Sequence, residues 1–63
     1  IKPDEKIYRM LLDRYHLKAE ESIFLDDTNI NVDGAIKVGM QGLLVENQEQ
    51  AVRDLNALLK QQD

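Results

Sequence analysis

An acidic pair, Asp26-Asp27, directly follows the apolar run Ile23-Phe24-Leu25 and precedes Thr28-Asn29-Ile30-Asn31. Adjacent carboxylates repel one another, and an oxygen-seeking cation such as Mg²⁺ relieves that repulsion while keeping coordination positions for water and phosphate. If the apolar run is a parallel strand and the next residues open a helix, the pair lies at the strand's carboxyl end, where open α/β sheets bind their ligands. A purely structural role is equally open: Asp26 can end the strand and Asp27 or Thr28 can cap the helix. Lys2, just ahead of Pro3, is a second candidate. A lysine held in a stiff turn can place a point charge on an anionic substrate, although most single lysines are simply solvated.

The elements that must position these residues can be read from periodicity. From Asp4 to about Tyr15, Ile7, Tyr8, Leu11, Leu12 and Tyr15 recur at helical spacing, with Met10 beside them and Lys6, Arg9, Asp13 and Arg14 mostly opposite. Pro3 suits a first helical position, and Asp4 and Glu5 suit the positive end of the helix dipole. Tyr8 and Tyr15 are expected to pack in a core or between domains, and His16 to be solvated or to favour the helix C-terminus. After a polar connection over residues 16–21, Ser22-Ile23-Phe24-Leu25 reads as a short strand. Thr28 or Asn29 can cap a second helix with Val32, Ala35 and Ile36 on one stripe, Lys37 in its last turn and Gly39 where positive φ is wanted. Gly34 inside that helix costs about 1 kcal/mol relative to Ala, so close packing against a neighbour is expected to justify it.

Gly42-Leu43-Leu44-Val45 has no polar alternation, as in a strand covered on both faces. Asn47 with Gln50 resembles a capping box, and Ala51, Val52, Leu55, Leu58 and Leu59 form the clearest helical stripe. The order α-β-α-β-α contains one right-handed βαβ crossover. Two parallel strands cannot have all their faces and edges covered by three helices, so the expected fold class is α/β, a fragment of a Rossmann-like, doubly wound parallel sheet.

Composition narrows the functions. The 63 residues carry 8 Lys plus Arg against 12 Asp plus Glu, a formal charge of −4, with no basic cluster. Nucleic acid and anionic lipid are held largely by basic residues, so neither is an expected partner. No apolar run approaches the ~20 residues of a membrane-spanning helix, and a cytoplasmic protein is expected. The absence of Cys removes disulfide staples, thiolate metal sites and cysteine nucleophiles. A chain of this length buries only about 60% of its unfolded surface, and it opens on Ile1 rather than Met; a piece of a longer protein is therefore expected.

Taken together, Lys2-Pro3-Asp4, the first helix, Ile23-Phe24-Leu25-Asp26-Asp27-Thr28-Asn29-Ile30-Asn31-Val32, Gly34-Ala35 and Val38-Gly39-Met40 closely resemble the C-terminal part of haloacid dehalogenase (HAD) superfamily hydrolases. The resemblance spans almost the whole chain. It implies that residues 1–63 are the C-terminal portion of a HAD-like core, and that Lys2 stabilises the aspartyl nucleophile and the phosphoryl group. It also implies that Asp27 ligates Mg²⁺ directly, that Asp26 holds a metal-bound water or assists coordination, and that Asn31, where the family often has Asp, orients the loop. The family's Asp-x-Asp nucleophile motif and its Ser/Thr motif are not in this chain. The resemblance thus implies that nucleophile and cap belong to an upstream part of the same protein, and that these residues alone are inactive. An acidic pair favours metal-dependent phosphatases over dehalogenases, because phosphoryl transfer relies on charge stabilisation. The implied substrate is a small phosphate ester.

Other classes fit less well. A receiver-like signalling module also has two acids after a strand, but it needs a phosphoacceptor Asp after another strand, and Leu43-Leu44-Val45 leads to Glu46-Asn47. A non-catalytic metal-binding or interaction module is a further alternative. As a calcium loop, Asn29, Asn31, Asp33 and Gly34 match the first positions of an EF-hand, yet Met40 stands where the bidentate Glu belongs and Lys37 at the ninth position.

Overall fold

The computed structural model describes residues 4–61, and Lys2 and Pro3 fall outside them. Within that range the order is α1 (Glu5–Arg14), a short 3₁₀ turn (Ala19–Glu21), β1 (Ile23–Asp26), α2 (Asn29–Lys37), β2 (Gln41–Leu44) and α3 (Gln48–Lys60). The strands pair in parallel, Ile23 with Gln41 through Asp26 with Leu44. Flanking bonds from Gln41 N to Ser22 O (3.0 Å) and from Val45 N to Asp26 O (2.8 Å) extend the ladder at both ends. The expected α-β-α-β-α order and βαβ crossover are therefore present, each strand lying within one residue of its expected place.

Local chemistry sets the helix ends. Asp4 caps α1 by accepting the Lys6 N–H at 3.0 Å. Asn47 and Gln50 form a complete capping box on α3, satisfying N–H groups that a helix start leaves without intrahelical partners. Both α1 and α2 close in the pattern where the second residue past the cap bonds back to the last turn: Leu17 N to Leu12 O (2.8 Å) and Met40 N to Ala35 O (3.2 Å). Gly39 takes the required positive φ of 97° just past the end of α2, as its sequence position predicts. His16 takes it just past the end of α1, at φ 56°, although a side chain at such a position is uncommon. His16 is thus a helix-ending residue as well as an exposed one.

The core forms where α1 and α2 meet the sheet. Tyr8, Leu12, Ala35, Val38 and Met40 cluster there, with Ala19 and Phe24 packed against them. Tyr8 meets Phe24 edge to face at 5.4 Å, a geometry that suits the aromatic quadrupoles. Only part of the predicted stripe of α1 is used: Tyr8 and Leu12 are buried, whereas Ile7, Met10, Leu11 and Tyr15 are exposed. Leu25 of β1 is also 44% exposed, in keeping with the expectation that three helices cannot cover every face and edge of two parallel strands.

Gly34 has the neighbour that the sequence required. A Cβ there would lie 2.7–2.9 Å from Cε2, Oη and Cζ of Tyr8, so α1 and α2 can approach only because glycine has none. Alanine brings about 1 kcal/mol of helix propensity, against about 1–3 kcal/mol for overpacking. Gly34→Ala is therefore expected to lower stability, seen as a lower denaturant midpoint at unchanged slope. A midpoint that rises would show that the Tyr8 ring yields freely.

Candidate functional site

The carboxyl end of the sheet gathers the acidic residues. The hydrogen-bonding requirements of the ladder carry β1 through Asp26, whose carbonyl accepts Val45 N–H, and the chain then turns through Asp27 and Thr28 into α2. Thr28 occupies the cap position with extended backbone, but its side chain makes no capping bond; its hydroxyl instead donates to Asp27 Oδ1 at 3.2 Å. The simple capping reading of Thr28 is therefore not what its hydroxyl does.

Asp26 is held on both oxygens. Oδ1 accepts the Thr28 N–H at 3.0 Å, and Oδ2 accepts Nδ2 of Asn31 at 3.1 Å. Partial desolvation pushes this carboxyl up, but the Thr28 N–H, the Asn31 amide and contributions from Asp27 together outweigh it and hold Asp26 below the usual aspartate range. Asn31 is in turn fixed through its backbone, because its carbonyl accepts the Tyr8 hydroxyl at 2.7 Å.

Asp27 is exposed, and the Thr28 hydroxyl is its one side-chain hydrogen-bond partner among the described residues. The remaining lone pairs of Asp27, beside a neighbouring carboxylate already fixed in place, are oxygen donors of the kind Mg²⁺ takes. Mg²⁺ is typically bound by one or two protein carboxylates together with water and phosphate, so this donor set fits part of such a site. No group of three or more His, Cys, Asp or Glu able to hold a metal occurs among the described residues. Glu46 follows β2 at the same end of the sheet without joining such a group.

The structure thus brings Asp26, Asp27 and Asn31 to one turn, while Lys2 lies outside the described residues. The calcium-loop alternative does not survive: Asn29, Asn31 and Asp33 lie on α2, where alternate residues point in different directions around the axis. Tyr8 was visible in the sequence only as a packing residue. Its bond to Asn31 spans 23 positions and leaves no local signal.

Residues 1–63 match the family model described as HAD-hydrolase-like. Bifunctional epoxide hydrolase 2 of Mus musculus is 44% identical over 55 residues, covering 87% of this chain and 10% of that protein. Acyl-CoA dehydrogenase family member 10 of Mus musculus is 41% identical over 58 residues, or 92% of this chain and 5% of that protein. Flavin mononucleotide hydrolase 1 of Arabidopsis thaliana is 37% identical over 57 residues, 90% of this chain and 23% of that protein. The chain therefore spans less than a quarter of each of these relatives.

Proposed function

Because the chain belongs to the HAD-hydrolase-like family, we propose that it is the C-terminal portion of a hydrolase core that transfers the phosphoryl group of a small phosphate ester with the help of Mg²⁺. The observation that carries this reading is the arrangement of Asp26 and Asp27 at the carboxyl end of β1, one carboxylate anchored on both oxygens and the other exposed. The names of the relatives point to different chemistries, so the choice among them rests on this site. One of them is named for hydrolysing flavin mononucleotide, a phosphate monoester, which supports the phosphatase reading.

In this reading Asp27 holds Mg²⁺ directly and Asp26 holds it through water or steadies its coordination. Bound there, Mg²⁺ supplies neutralisation of charge on the phosphoryl oxygens. Asn31, donating to Asp26 Oδ2, keeps that carboxylate oriented. Lys2 adds positive charge at the phosphoryl group; the carboxylate that accepts that group comes from the upstream part of the same protein, the ester oxygen leaves as the protonated alcohol, and water then cleaves the carboxyl phosphate to free phosphate and regenerate the carboxylate.

Phosphate release from para-nitrophenyl phosphate and from flavin mononucleotide tests the proposal in the full-length protein. Chelation with EDTA is expected to abolish release and added Mg²⁺ to restore it. Release that persists under chelation would overturn the metal-dependent reading.

A further inference from the structure

Tyr8 is buried at 5% exposure, yet its hydroxyl has a specific task. It donates to the carbonyl of Asn31 at 2.7 Å, on the first turn of α2, while the Asn31 side chain donates to Asp26 Oδ2 at 3.1 Å. Gly34, three residues further along the same helix, leaves the space in which the phenol lies. The ring is further held against Phe24 of β1, the strand that carries Asp26.

We propose that Tyr8 is a positioning residue for the acidic site, acting through Asn31 on Asp26. The physical basis is continuity. A buried aromatic side chain moves little, and a hydrogen bond from it to the helix backbone sets where the Asn31 amide begins. Without that bond the first turn of α2 keeps its helical form, but the amide is free to shift relative to Asp26. Groups that orient metal ligands from behind commonly contribute 10–100-fold to metal affinity. Tyr8 acts one bond further away, so a smaller effect is expected. The inference rests on the metal reading of Asp26 and Asp27.

The test uses the full-length protein, with Mn²⁺ binding followed by electron paramagnetic resonance and with the Mg²⁺ concentration giving half-maximal phosphate release. Tyr8→Phe is expected to weaken Mn²⁺ binding about three- to tenfold and to raise the Mg²⁺ requirement in parallel. Leu12→Val, a core change without a bond to the site, should lower the thermal midpoint while leaving both readouts unchanged. Tyr8→Phe should add little on an Asn31→Ala background, because both act through the same carboxylate. If Asp27→Asn weakens Mn²⁺ binding while Tyr8→Phe lowers only the thermal midpoint, Tyr8 is a packing residue and the proposal is overturned. If Asp27→Asn leaves Mn²⁺ binding unchanged, the metal reading itself fails and the role of Tyr8 falls with it.

Discussion

Replacing Asp27 by Asn in the full-length protein is expected to cut Mg²⁺-dependent phosphate release at least ~100-fold at fixed Mg²⁺, because a direct metal ligand supports several kcal/mol of transition-state charge stabilisation. The substitution keeps the size of the side chain and one oxygen, and its exposed position means that little packing is disturbed. The Thr28 hydroxyl can still donate to the amide oxygen, so the turn into α2 should survive. Asp26→Asn is expected to cost less, about 10-fold to 100-fold, since in the proposed reading that residue supports coordination rather than providing the direct bond. It also loses an acceptor: the Asn31 amide and the Thr28 N–H both point at Asp26 oxygens, and one of them would face an NH₂ group. Rates measured across a Mg²⁺ titration separate the two, because a weakened ligand shows as a raised Mg²⁺ requirement before the rate at saturation falls. Equal rates for wild type and Asp27→Asn at every Mg²⁺ concentration would remove the metal role from this residue.

Lys2→Met carries the second large effect. A cation placed at a transferring phosphoryl group acts mainly in the transition state, and losing one such preorganised group typically costs about 10²–10³ in kcat. Methionine preserves much of the length of the side chain and deletes the charge. The expected signature is therefore a kcat lowered to that extent, with a thermal midpoint within a degree or two of wild type, because the role proposed for Lys2 is electrostatic at the phosphoryl group rather than one of packing. Turnover and thermal midpoint measured on the same samples decide the matter. A normal kcat would show that Lys2 is a solvated lysine.

Much of this architecture is legible in the sequence, for a definable reason. The capping box of Asn47 and Gln50, the positive φ of Gly39 and the end of β1 at the acidic pair are decided within a few residues of each signal. Family motifs share that locality, which is why Asp26, Asp27 and Asn31 stand out together in the sequence.

Tertiary structure decided what depends on residues distant in sequence. Periodicity shows that α1 has an apolar stripe, but not that Tyr8 and Leu12 are covered while Ile7, Leu11 and Tyr15 are left exposed; that follows from which side of α1 packs into the cluster with Ala35, Val38 and Met40. Gly34 could be recognised as needing a close neighbour, yet only the packing identifies it as the Tyr8 ring. Likewise, a β-strand pattern predicts pairing but not the exposure of Leu25, which depends on how many elements lie on each face of the sheet. The chain from Tyr8 through Asn31 to Asp26 is of the same kind. A hydrogen bond between residues 23 positions apart forms only after two helices have docked, so its determinants are distributed over both helices and the strand between them. The residue types and spacing that give the sheet's end its chemistry are local and were written in the sequence, whereas the orientation that keeps Asp26 in place is a property of the assembled core.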